Sequence, residues 1–171
     1  MAKLVWITGL SGSGKTTIGK EVYKEFKKTY SNTVFLDGDS FRKILGNDLG
    51  HNQKDRLSNA MRISRMCKFL TSQDINVICA TMSLFKEAHD YNRANNKDYF
   101  EIFIDVPMEE LIKRDPKGLY KKALANEETE VVGVNLPFDK PQNFDLRLDN
   151  TKKDKFKKNI SLILDLIKGD K

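Results

Sequence analysis

The sequence predicts an α/β fold: a five-stranded parallel sheet flanked by helices. Three observations predict it. Short apolar runs alternate with longer stretches of helical periodicity almost from end to end, the layout of a parallel sheet covered on both faces. Four of the five runs are rich in valine, isoleucine and phenylalanine, as buried strands should be. The first run leads directly into a glycine-rich loop, GLSGSGKTT, and then into a helical pattern.

The strands are read at 3–8 (KLVWIT), 33–37 (TVFLD), 76–81 (NVICAT), 99–105 (YFEIFID) and 144–149 (FDLRLD). From Gln53 to Gln73 a helix is predicted, with Leu57, Ala60, Met61, Ser64, Cys67 and Leu70 forming the stripe that faces the sheet. Arg56, Asn59 and Ile63 fall on a neighbouring face. The last helix repeats the pattern with Phe156, Ile160, Ile163, Leu164 and Ile167, and the lysine run KKDKFKK reads as its solvated side. Between Asp115 and Asp139 the periodicity fails. Two prolines, two glycines and many charges there predict a lid at 115–139, with only a short helix around Leu119 to Asn126.

The length of 171 residues suits one domain over 1–171 with that lid as a small insert. An apolar fraction of 39% and a charged fraction of 32% are those of a soluble globular protein. No apolar run approaches the roughly 20 residues needed to span a bilayer, so no membrane association is expected. The opening LVWI is too short for a signal peptide, and Cys67 and Cys79 fall in apolar patterns that suit buried thiols, so a cytoplasmic location is expected. The net charge of +6 is spread over helix faces. With no RNA-recognition motif and no aromatic series for stacked bases, it suits small polyanionic substrates rather than nucleic acid.

GLSGSGKT satisfies G-x-x-x-x-G-K-[ST], the phosphate loop, with Gly9, Gly14, Lys15 and Thr16 at the required spacing. Glycines there let the backbone curl so that N–H groups converge on phosphate oxygens. The helix start adds its positive dipole end, Lys15 brings a full charge to the β- and γ-phosphates, and Thr16 offers a hydroxyl to Mg²⁺. Gly9, Ser11, Gly12, Ser13, Gly14, Lys15, Thr16 and Thr17 are thus candidate ligands of ATP, bound with Mg²⁺.

The second strand runs into LDGDSFR, which brings Asp37 and Asp39 to the carboxyl edge of the sheet, where open α/β sheets bind ligands, with Arg42 one helical turn later. Carboxylates beside a phosphate loop can hold magnesium or take the proton of an attacking hydroxyl, and Asp37 is the preferred base or metal partner. Asp-Gly-Asp-Ser also suits a turn that caps a helix; both roles can coexist. Arg56 and Asn59, at i and i+3, share a helix face and can converge on one anion.

Taken together, GLSGSGKTT, LDGD with Phe41 and Arg42, DLG at 48–50, Asp55-Arg56 with Asn59, and RDPKGLYKKA at 114–123 resemble the adenylylsulfate kinases, in the family's order over roughly residues 3–150. RDPKGLYKKA is the specific part of the resemblance. It implies the phosphate-loop nucleotide-kinase fold with strand order 2-3-1-4-5, and transfer of the ATP γ-phosphate to the ribose 3′-hydroxyl of a nucleotide, adenylyl sulfate by default. Position by position, it implies that Arg42, Arg56 and Asn59, with Asp39, hold the acceptor nucleotide. Lys117 and Leu119 would contact the acceptor from the lid, and Arg114 would lie near ATP. Met82 and Ser83 occupy the family's Phe-Ile-Ser-Pro place without its proline, and Ser83 is expected as an acceptor-site residue rather than a phosphorylated intermediate. A homodimer is the assembly such kinases commonly form, although the sequence carries no interface signal.

The chain departs from the family pattern where two phenylalanines usually sandwich the acceptor adenine: His51 and Val131 take those places. Stacking on an aromatic ring is worth about 1–3 kcal/mol, enough to redirect base preference while leaving phosphoryl transfer intact. A related activity that fits is a 3′-kinase of cytidine diphosphoramidate in capsular phosphoramidate synthesis, whose pyrimidine needs less stacking area. Two further readings stay open from sequence: a small-alcohol or sugar-acid kinase on the same fold, and a nucleotide-dependent RNA-binding switch.

Overall fold

The computed structural model describes residues 1–169. Five parallel strands form one sheet in the order β2-β3-β1-β4-β5, the order that the family resemblance implies. In chain order the elements are β1 (Lys3–Thr8), α1 (Lys15–Thr29), β2 (Thr33–Asp37), α2 (Gly38–Ile44), α3 (Gln53–Ser72), β3 (Asn76–Ala80), α4 (Lys86–Asn95), β4 (Asp98–Ile104), α5 (Met108–Arg114), α6 (Leu119–Leu124), β5 (Leu146–Leu148) and α7 (Lys155–Lys168). No helix among the described residues is long and apolar enough to cross a membrane.

The central strand explains why the first apolar run needs no polar alternation. Leu4 to Ile7 are fully buried, and successive side chains enter opposite layers. Val5 and Ile7 join Ile78, Phe100, Ile102 and Ile104 under Ile18, Val22 and Phe26 of α1 and Ile163 and Ile167 of α7. Leu4 and Trp6 join Val77, Cys79 and Tyr99 against Phe41 of α2 and Ile63 and Cys67 of α3. Cys67 and Cys79 are buried free thiols, as expected.

Three details differ from the sequence reading. Ile63, assigned to a flanking face, is buried against the sheet, whereas Leu57 and Met61 pack beside Ala60 on Phe85 and Ala88 at α4. The stripe of α3 therefore serves two partners and is broader than one sheet contact requires. The fifth strand is three residues instead of six, because its flanking aspartates are used as side-chain acceptors. Asp145 takes the N–H of Glu101 at 2.8 Å, and Asp149 takes the N–H of Thr151 at 2.8 Å and starts the next turn. Finally, the short helix within 115–139 stops at Leu124, two residues before the expected Asn126. Within that stretch Tyr120, Ala123, Val131 and Val132 are buried in the core.

A buried polar knot lies between α4 and β4. The Glu101 carboxylate, 1% exposed as a residue, receives the Tyr99 hydroxyl at 3.0 Å and lies 3.1 Å from Nδ1 of His89. The other ring nitrogen of His89 lies 2.7 Å from the Ser83 carbonyl, which also accepts the Thr8 hydroxyl at 3.0 Å. A carbonyl and a carboxylate oxygen serve here as acceptors, and the ring satisfies both when it carries two protons. Burial alone would lower its pKa, but the hydrogen bond and charge of Glu101, with the Ser83 carbonyl and Asp90, raise it. Arg93 also lies close, 3.4 Å from both Glu101 and Asp145, whose carboxylate accepts the Glu101 N–H.

Because the folded state raises this pKa, the stabilisation is complete below the unfolded value of about 6.5 and is lost as pH rises through the folded value. Urea unfolding of wild type and His89→Asn should therefore differ by about 1–3 kcal/mol near pH 5.5, with the gap narrowing toward pH 9. A gap independent of pH would contradict the doubly protonated ring.

Candidate active site

The loop between β1 and α1 is shaped by positions that admit no side chain. Gly9 has φ +151°, and a Cβ there would come within 2.6 Å of the Ile104 carbonyl oxygen. Gly14, the residue before α1, has φ +97°, and its Cβ would lie 2.5 Å from Asn150 Nδ2. Both conformations and both spaces favour glycine.

Four of the loop's carbonyls accept hydrogen bonds, three of them turned to donors on other stretches of chain. Leu10 O accepts Lys15 Nζ at 2.7 Å and the Ser13 N–H at 3.2 Å. Ser11 O accepts the Tyr120 hydroxyl at 2.8 Å, Gly12 O accepts Arg114 Nη1 at 3.4 Å, and Ser13 O accepts Asn150 Nδ2 at 2.8 Å. Burial, helped by the charge of Asp115, pushes the Tyr120 hydroxyl up to about 12, so it stays a donor. Among the described residues the N–H groups of Gly12 and Gly14 donate to no protein acceptor. The arrangement leaves amides for an anion.

Thr16 at the start of α1 donates its hydroxyl to Asp37 Oδ2 at 2.9 Å. The other oxygen of Asp37 accepts the Ser40 N–H at 3.0 Å and caps α2, so cap and site partner are one residue. Asp39 is ion-paired with Lys117, which reaches across from the segment before α6. Burial would raise the Asp39 pKa, but Lys117, Lys15 and Arg42 together bring it below the ordinary carboxylate value. Lys15 is held down at about 8, chiefly by burial of its ammonium group, with Lys117 adding to the effect and Asp39 and Asp37 opposing it.

A cavity of about 400 Å³ joins these groups to a second wall. Of the residues expected from sequence, Ser11, Gly12, Gly14, Lys15, Thr16, Thr17, Asp37, Asp39, Arg42, His51, Arg56, Asn59, Met82, Lys117, Leu119 and Val131 all line it. Gly9, Ser13, Ser83 and Arg114 do not. Gly9 and Ser13 shape the loop from behind, and Arg114 braces it by donating to Asn150 O at 2.8 Å and Thr151 O at 2.6 Å. Ser83 sits behind the wall, 1% exposed, with its carbonyl engaged as above and its hydroxyl unpartnered among the described residues.

Arg42 donates to Leu49 O at 2.7 Å and Gly50 O at 2.9 Å, fixing the loop that leads to His51. Arg56 donates through Nε to His51 O and through Nη2 to Glu130 O at 2.7 Å, stitching that loop to the segment that carries Val131. His51 is pushed below its ordinary pKa by burial and by the nearby Arg42 and Arg56, so it is neutral at pH 7. Sequence reasoning missed Glu128, Glu130, Thr81 and Pro116 on the cavity, and Tyr120 and Asn150 as braces. For Tyr120 the signal was present within RDPKGLYKKA. For Glu128 and Glu130, in an aperiodic stretch, there was none.

Comparison with known proteins fits this geometry. A family model described as adenylylsulphate kinase matches residues 1–149. A cytidine diphosphoramidate kinase of Campylobacter jejuni is 45% identical over 161 residues, 94% of each chain. An adenylyl-sulfate kinase of Halothermothrix orenii is 40% identical over 148 residues, covering 86% of this chain and 80% of the relative. Among solved structures, the Mycobacterium tuberculosis APS kinase CysC, in complex with AMPPNP and APS, superposes with a TM-score of 0.88 at 34% identity, over 98% of both chains.

The lowered pKa of Lys15 has a measurable consequence. Above pH 8 the free lysine is neutral, and a bound triphosphate restores its charge. Binding of ATP with magnesium should then take up about one proton at pH 9 and far less at pH 7. Calorimetry in buffers of different ionisation enthalpy measures this, and equal uptake at both pH values would contradict it.

Proposed function

Because the chain belongs to the adenylylsulphate kinase family, whose enzymes transfer a phosphoryl group to a hydroxyl, we propose that it phosphorylates the ribose 3′-hydroxyl of a nucleotide at the expense of ATP, with a cytidine diphosphate derivative as acceptor. One observation carries the reading: a single cavity runs from the phosphate loop to a wall of Arg42, His51, Arg56, Asn59, Lys117 and Val131. Triphosphate and acceptor fit at its two ends. Imidazole and valine on the base wall, instead of two aromatic rings, suit a small pyrimidine, and the 45% identical relative bears the name of a cytidine diphosphoramidate kinase. Adenylyl sulfate is the second reading, favoured by the 34% identical structure whose complex contains APS.

In this mechanism the loop amides and Lys15 cradle the β- and γ-phosphates and neutralise charge on the transferring group. The donor set at Thr16 and Asp37, a hydroxyl and a carboxylate oxygen 2.9 Å apart, suits Mg²⁺, which keeps waters and phosphate oxygens as its other ligands. The ion would supply charge neutralisation there. The lack of any cluster of three or more acidic, His or Cys ligands among the described residues is compatible with such a site.

Asp39 stands ready to take the hydroxyl proton once Lys117 leaves it for the acceptor's anion, a change that also restores Asp39 toward ordinary basicity. Arg42, Arg56 and Asn59 orient the acceptor. The segment 115–139 acts as the lid over both substrates, with Lys117 and Leu119 on its inner side.

Steady-state assays with cytidine diphosphoramidate and with adenylyl sulfate test the reading: the first should give the higher kcat/KM, and turnover of neither would remove it. Lys15→Ala should lower kcat at least about 10²-fold. Lys117→Ala should raise the acceptor's KM, whereas an unchanged KM would exclude direct contact.

A further inference from the structure

The cavity holds a carboxylate that the phosphoryl-transfer chemistry does not use. Glu130 lines it and is half-buried. Its main-chain carbonyl is fixed by Arg56 at 2.7 Å, so the residue is tied to the same wall as His51 and Val131. Its side chain makes no hydrogen bond or ion pair among the described residues, although His51 and Arg56 are close enough for it to favour their charged forms. Glu128, two residues earlier, also lines the cavity. One of its oxygens is already occupied by the N–H groups of Thr129 at 3.1 Å and Glu130 at 3.3 Å.

A cavity-lining carboxylate with no protein donor among the described residues has its acceptor oxygens available to a ligand. The wall around it supplies the complementary polarity: a neutral imidazole at His51 with one N–H, and the fixed guanidinium of Arg56. An acceptor flanked by donors matches the edge of a base that carries an exocyclic amine next to a ring nitrogen. Carboxylates read the N4 amine of cytosine in this way, and a base with a carbonyl there would set oxygen against carboxylate.

We infer that Glu130 is the residue that selects the acceptor base, by accepting a hydrogen bond from an exocyclic amino group, so that cytosine or adenine is admitted and uracil or hypoxanthine is rejected. The inference deepens the proposed function and rests on its placing the acceptor base at this wall. Rejection is the larger part of the effect, because the wrong base leaves two acceptors facing each other in a partly dry site.

Binding tests it without turnover. With the ATP site filled by a non-hydrolysable ATP analogue and magnesium, calorimetry on the full chain should show CDP binding more tightly than UDP, or AMP more tightly than IMP. The expected margin is about ten- to a hundredfold. Glu130→Gln keeps the main-chain bond to Arg56 and adds an amide N–H that can serve a carbonyl, so it should bring the preferred pair to within about threefold. Equal binding within both pairs in wild type would overturn the inference, as would a preference that survives Glu130→Gln. Loss of phosphoryl transfer to every nucleotide alongside a Glu130-dependent amine preference would instead remove the kinase reading and leave this one standing.

Discussion

The constraint on which the rest of the structure depends is the outward turn of the phosphate-loop carbonyls. A short loop with glycines could adopt many shapes, and a catalytic anion site needs only one. Here the loop is held from behind by donors on three separate stretches of chain: Arg114 at the end of α5, Tyr120 in α6 and Asn150 after β5. Each bond on the outside of the loop removes a reason for an amide to turn away from the inside. The loop is therefore shaped by the protein's own bonds, and an anion received there would not have to order it.

The opposite wall is organised by the same logic with cations instead of amides. Arg42 and Arg56 each span two backbone carbonyls, and each fork is held in a partly dry place where a guanidinium without partners would be costly. Those bonds connect α2, the loop carrying His51, α3 and the segment carrying Val131 into one surface. Lys117 contributes differently. Its partner Asp39 is an exposed carboxylate, so the pair is worth little and can be exchanged for a ligand at small cost.

How much of this was legible in the sequence follows from the range of the forces involved. β1, β3 and β4 could be read because nearly every residue in them is buried, and β2, half-buried at the sheet edge, keeps the apolar run Val34–Leu36. β5 could be read only as a place, since its ends are set by what Asp145 and Asp149 bond, which no periodicity reports. Ile63 was misplaced because α3 packs against both the sheet and α4, and a helix with two partners has no single stripe. The phosphate loop and RDPKGLYKKA were legible as strings, but the physical reason for the second emerges only in three dimensions. Arg114 and Tyr120 brace the loop, Asp115 caps α6 by accepting the N–H groups of Tyr120 at 3.1 Å and Lys121 at 2.9 Å, and Lys117 and Leu119 face the cavity. Glu130 was invisible, lying in an aperiodic segment brought to the site only by a contact 74 residues away in sequence.

These two walls differ in what supports them, and that difference bears on how one fold serves more than one acceptor. The loop and its braces rest on fully buried neighbours such as Ile104, Leu111 and Tyr120, where a change in volume propagates through packed core. His51 is exposed, and Glu128 and Glu130 are half-buried on irregular chain that is held by two arginine forks and, just beyond Glu130, by the buried Val131 and Val132. Substitutions there alter the surface offered to a base without disturbing the core that shapes the phosphate loop. The phosphate loop is thus tied to the part of the molecule where a change of volume is felt most, and the surface around His51 and Glu130 to a part with more room for substitution.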